Sequence, residues 1–336
     1  MVKYCSIACQ KQNWPTHKIS CGKSGIDLVV HRAGQLLQDV YLTLREATYD
    51  ATIASVTEEG DTLVIQDAPV DIGKLAPFPN HLFRNDNQKK MALAAFTCED
   101  PLAFCHDIFV QMLEGSSLKI DELQVGTKPT AKKVRVVLAW GSRETTDHGH
   151  SIIRIKSMDG RAWIIDVTGP QFGIFKSCWP ESVYMKKHVL QLENIDEFGT
   201  HKGRYKIMNH LFMRISFGAM EKIEATISAW KSDTGATLAT LLREPEAIFQ
   251  KNARKLMIDS KTAVEEFVAE VVAMDKTEPE GKADLVPKEV FEETDDALAR
   301  LKKDHASFRP IPAIDRLLKS ARSQSADNAQ GACNET

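Results

Sequence analysis

The chain has no apolar run approaching the roughly 18 residues needed to span a bilayer. Nor does its start carry the apolar core and small-residue cleavage site of a signal peptide. Charge bias is also missing. Lys and Arg number 43 against 46 Asp and Glu, a net charge of −3, which argues against a chain built to grip nucleic acid or anionic membrane. Cysteine is scarce, seven in 336 residues. An odd number without disulfide-like spacing predicts a reducing, intracellular compartment, and does not separate nucleus from cytoplasm. No Gly-x4-Gly-Lys-Ser/Thr loop occurs, and neither Gly141-Ser142-Arg143 nor Gly169-Pro170 makes a phosphate cradle. There is no internal repeat. What the chain does have is 43% hydrophobic residues, enough for a real core in one large domain or two ordinary ones.

The scarce cysteines are not evenly spread. Cys5, Cys9 and Cys21, with His17, fall in a Cys-x3-Cys-x7-His-x3-Cys pattern. Such pairs of soft ligands converge readily on zinc. The residues between them sharpen the signal: Tyr4 precedes Cys5, Gln10 follows Cys9, Trp14 lies between the pairs, and Lys18 follows His17. This pattern resembles the second half of a MYND-type zinc finger. The resemblance implies a structural zinc fold that docks short partner peptides, with zinc contributing folding energy. It also implies that two ions are shared, one by Cys5 and Cys9, the other by His17 and Cys21, each completed by two earlier cysteines. Those earlier cysteines have no counterpart between Met1 and Tyr4. Each ion would then own two of the four ligands that a structural zinc site normally has. Three readings stay open: a first half encoded upstream, a relic finger, or four residues regrouped around one ion.

Beyond the finger, the pattern predicts an α+β protein: a small zinc-finger fragment, then a mainly helical domain around a short antiparallel sheet. The expected divisions are 1–22, 25–274 with its sheet near 133–167, and a charged linker, short helix and disordered tail over 275–336. Gly22 to Gly25 read as a linker. Apolar residues recur at helical spacing from Ile26 to Tyr49. Further helices are expected over 86–96, 100–113, 208–230, 236–242 and 245–274. Residues 134–140, 150–156 and 162–167 read as three strands of one antiparallel sheet, with turn chemistry at Met158-Asp159-Gly160.

The sheet carries a second constellation. Cys98 stands near a predicted helix start, His150 opens one strand, and Asp166 closes its neighbour. Nucleophilic cysteine chemistry needs such a thiol, an imidazole base and an orienting carboxylate. The order is similar to that of the transglutaminase-like branch of the papain-like superfamily. The resemblance implies that Cys98 attacks, His150 carries the proton and Asp166 holds the ring. With the turn at Asp159-Gly160, His150 faces Gly169; with the turn at Met158-Asp159, it faces Val167. Asp166 is close in either register. Cys105 lies inside the same predicted helix and suits the role less well. The Asn-His-Ser-Cys segment of SET-domain methyltransferases is absent, and Met208-Asn209-His210-Leu211 replaces it poorly. Trp140, Trp163 and Trp179 suit a core better than a ligand cage, and Lys186-Lys187-His188 suits a solvated face.

Two functions therefore compete. One is a zinc-binding MYND-type module used for protein–protein interaction, with a protein or peptide partner. The other is a cysteine-dependent enzyme of acyl transfer or amide hydrolysis, active or worn.

Overall fold

The computed structural model describes residues 6–67, 75, 77–130, 132–138, 141–208 and 211–277, the side chains of 10, 12–24, 211, 212 and 274–277 excepted. The linker, short helix and tail expected beyond 277 lie outside these residues, as does Trp140. All described residues belong to one unit, Met1–Val286, and the architecture is α+β.

The chain opens with helix α1 (Ile7–Ala47), capped by the Ser6 side chain accepting from Cys9 N–H at 3.2 Å. It runs straight through the Gly22–Gly25 stretch expected to be a linker. Each glycine costs about 1 kcal/mol in a helix interior. Once nucleated, however, a helix propagates at one bond per residue, and its second half is firmly anchored. Val30, Ala33, Leu37, Tyr41 and Leu44 form one buried stripe, each large side chain contributing about 1.5–3 kcal/mol.

Two sheets follow. The first has the order β1-β2-β4-β5. Strands β1 (Ile53–Glu59) and β2 (Thr62–Asp67) form a hairpin whose Gly60 takes a left-handed φ of 61°. Helices α2 (Asp86–Ala94), α3 (Asp100–Phe104) and α4 (His106–Met112) come next. The single helix expected over 100–113 is thus broken, at Cys105. Strand β3 (Leu118–Thr127) begins the second sheet, while β4 (Lys133–Leu138) and β5 (Gly141–Glu144) complete the first.

The remaining strands are β6 (His150–Ser157), β7 (Ala162–Ile165), β8 (Cys178–Pro180) and β9 (Val189–Glu197), with helix α5 (Glu181–His188) between the last two. They give an antiparallel sheet ordered β8-β7-β6-β3-β9. The expected single three-stranded sheet is therefore corrected. β4 pairs in parallel with the distant β2, and only β6 and β7 are neighbours. Both faces of that pair are buried. Ile153, Ile155, Trp163 and Ile165 join the main core, and Ile152 and Ile164 join a smaller one with Leu123, Val125, Tyr184 and Val189. Burial on both faces gives the near-continuous apolar runs that mark these strands.

The chain closes with α6 (Thr200–Met208), α7 (Leu211–Thr234), α8 (Leu238–Leu241) and α9 (Glu246–Thr277), the long helices packing beside α1. Among the described residues no helix is long and apolar enough to cross a membrane.

Candidate active site

The site is built where β6 begins and β7 ends. Ser157 N–H donates to Arg161 C=O at 2.9 Å, and Lys156 pairs with Ala162, so the hairpin loop is Met158-Asp159-Gly160. Gly160 holds the left-handed position (φ 84°) that a three-residue loop asks for. This register falls between the two the sequence allowed. It brings His150 Nε2 to 2.9 Å from Asp166 Oδ1, with both side chains fully buried.

Asp166 is held from several sides. Its second oxygen, Oδ2, accepts the Tyr184 hydroxyl of α5 at 2.7 Å. Its backbone N–H donates to Ser177 C=O at 2.8 Å. One residue on, Val167 C=O accepts from the Gln38 side chain of α1 at 2.9 Å. Gly169 must be glycine here, since a Cβ would come within 2.4 Å of Asp166 Oδ2 and 2.7 Å of Ile174 O. The Phe172 ring stands edge-on to His150 at 4.8 Å.

Cys98 enters from the α2–α3 connection. Its thiol donates to Gly149 C=O at 3.8 Å, and it is partly exposed. Cys98 is close enough to His150 to be among the groups that raise the imidazole pKa. His150 Nδ1 is buried without a hydrogen-bond partner among the described residues. Burial works to lower the His150 pKa, but the Asp166 charge, the Asp166 hydrogen bond and Cys98 outweigh it and raise it to about 10.

The helix-start expectation for Cys98 needs amending. α3 has only five residues, and Glu99 and Asp100 follow the thiol directly. Cys105 is fully buried, and burial pushes its thiol well above the usual range. It is not placed to react.

Phe96, which the sequence did not single out, packs between His148 and Arg143. Phe96 takes a left-handed φ of 62°. Its N–H donates to Gln171 Oε1 at 3.1 Å, and its ring packs edge-on against His148 at 5.6 Å. The Arg143 guanidinium lies 4.6 Å over that ring. Glu99 reaches His201 Nε2 at 3.7 Å, and His201 Nδ1 also bonds the buried Glu122. Tyr184, Phe96 and Arg143 carry no local signal, since each earns its place through contacts made across the fold.

At the other end of the chain, Cys9, His17 and Cys21 all fall on α1, with His17 and Cys21 one turn apart. Cys5, and the side chains of His17 and Cys21, lie outside the described residues. Twelve residues of helix separate Cys9 from Cys21, about 18 Å along the axis. Two thiolates bound at about 2.3 Å to one ion do not span that distance. The donor types fit zinc, and the spacing offers them as two separate pairs. Among the described residues no group of three or more His, Cys, Asp or Glu side chains is arranged to hold a metal ion. Trp163 is a core residue, while Trp179 lies between Lys176 and Lys187.

No curated protein and no solved structure matches the chain. The family model of the MYND finger matches residues 1–21, so the chain opens with a MYND finger segment.

Proposed function

We propose that the body of this protein is a cysteine-dependent enzyme of acyl transfer or amide hydrolysis. In this reading the MYND segment docks it to a peptide partner. The observation that carries the enzyme reading is the fully buried His150–Asp166 pair with Cys98 close to the ring. A buried charge pair is costly to maintain, and stability alone is weak reason to build one beside a partly exposed thiol.

The sulfur of Cys98 attacks a carbonyl carbon, forming the S–C bond. The proton the thiol gives up resides on His150, and Asp166 stabilises the resulting imidazolium. His150 then passes that proton to the departing amine as the C–N bond breaks, leaving a thioester. Water or a second amine attacks the thioester carbonyl, the C–S bond breaks, and the proton the nucleophile loses returns through His150 to the sulfur.

The test is alkylation by neutral iodoacetamide with peptide mapping. Cys98 is expected to react faster than Cys105 and Cys178, and at least about tenfold slower in His150→Ala. Equal rates in the two proteins would rule the reading out.

For the finger segment, the supporting observation is the match over residues 1–21. Cys5 with Cys9, and His17 with Cys21, would each supply two ligands to a separate zinc ion, whose structural role needs four. Zinc would fix the local fold there.

A further inference from the structure

Arg143 stands apart from its neighbour Arg135. Arg135 is bound by Glu144 at 2.6 Å and by Glu59 at 3.0 Å. Arg143 has no carboxylate within ion-pair distance among the described residues, and its charge rests on the Phe96 ring at 4.6 Å. A guanidinium held over an aromatic face by cation–π attraction can still offer its N–H groups to an anion.

The platform beneath it is held at a cost. Phe96 is the only described non-glycine residue with positive φ, a conformation about 1–2 kcal/mol above the ordinary ones. Gln171 and His148 fix it there. Strain of this kind persists where surrounding contacts over-determine it, and it collects at functional sites. Phe96 lies two residues before Cys98, and His148 adjoins Gly149, whose carbonyl receives the Cys98 thiol. Burial and the Arg143 charge together lower the His148 pKa. His148 therefore stays neutral near pH 7, and Arg143 carries the positive charge beside Phe96.

We propose that Arg143, positioned by Phe96, reads an anionic oxygen group, carboxylate or phosphate, on the acyl donor that Cys98 attacks. This rests on the nucleophile reading of Cys98. A planar fork meets either group through two parallel hydrogen bonds.

The test uses bromoacetyl-amino acids of graded chain length, each as free carboxylate, primary amide and phosphonate. Sulfur displaces bromide at the CH2 carbon, the S–C bond forming as C–Br breaks, and the thiol proton stays on His150. At one chain length the anionic probe is expected to label Cys98 about two- to fivefold faster than its amide. In Arg143→Gln that preference should collapse toward unity; Arg143 is exposed, so the variant is expected to fold. The better anion, carboxylate or phosphonate, identifies which group is read. If labelling depends on His150 but the anion preference is the same in Arg143→Gln at every length, the inference about Arg143 is overturned alone. If even the amides label Cys98 independently of His150, the nucleophile reading falls and this one with it.

Discussion

Tyr184 donates its hydroxyl to Asp166 Oδ2 at 2.7 Å, on the carboxylate oxygen that His150 leaves free. The carboxylate thus has a partner on each oxygen in a place that water does not reach. Tyr184→Phe removes one partner and leaves a buried charged oxygen unpaired. Hydrogen bonds to charged groups contribute about 1.5–3 kcal/mol. Urea unfolding should show a free energy of unfolding lower by that amount, read as a lower midpoint with an unchanged slope. A midpoint within error of the unaltered protein would mean that the bond is not formed in solution.

Two buried histidines make stability fall on the alkaline side. His150 is raised to about 10. His201, despite burial, is raised to about 9 by its bonds to Glu122 and Glu99. A histidine raised in the folded state contributes its full stabilisation below its unfolded pKa, about 6.5. That contribution is lost as pH climbs through the folded value. The free energy of unfolding should therefore decline between about pH 6.5 and 10. In Asp166→Asn the decline should be shallower, because the group that raises His150 is gone. Denaturant titrations across that range decide it, and a flat profile would contradict the two ion pairs.

Gly169→Ala puts a methyl group against Asp166 Oδ2 and Ile174 O, at 2.4 and 2.7 Å. Neither atom belongs to a flexible chain end. Overpacking of this kind costs about 1–3 kcal/mol. Because the carboxylate must shift to relieve it, Cys98 alkylation should slow in parallel with the drop in melting temperature. A variant that melts lower but alkylates at the old rate would separate the glycine from the site.

Cobalt(II) can report the metal arrangement of the first 21 residues through its thiolate charge-transfer bands. If Cys5 with Cys9 and His17 with Cys21 serve separate ions, Cys5→Ser and Cys21→Ser should each remove only part of the absorbance. Loss of the whole spectrum in either single variant would favour one shared ion, and would require α1 to break between Cys9 and Cys21.

The His150–Asp166 pair was legible in the sequence because it depends on local geometry. Ile152-Ile153 and Trp163-Ile164-Ile165 mark two strands, and Gly160 marks the turn that fixes their register. β4 was legible as a strand but not as to its sheet, since its partner β2 lies some 70 residues upstream. β3 was missed because Asp121 and Glu122 interrupt its apolar pattern. Arg154 and His201 satisfy them only after folding. β9 was missed because its alternation, Leu190-Gln191-Leu192-Glu193, breaks at Asn194-Ile195, beside a bulge that interrupts the pairing with β3. Gly22 and Gly25 suggested a boundary, yet local cost did not outweigh the anchoring of Val30 to Leu44. Cys98 was found by residue type and order, while its neighbours Phe96 and Arg143 meet only through the tertiary fold.

The 41-residue helix that begins at Ile7 also acts as a ruler. At 1.5 Å per residue its contour length is about 60 Å, with Pro15 a point of bending between the first turns and the rest. A partner held at its first turns would not swing on a tether. It would stand at a set distance and bearing from the core that Gln38 ties to the Asp166 strand. Docking by the segment would then dictate which part of the partner can reach Cys98, and lengthening the helix by one turn would move that point by about 5.4 Å.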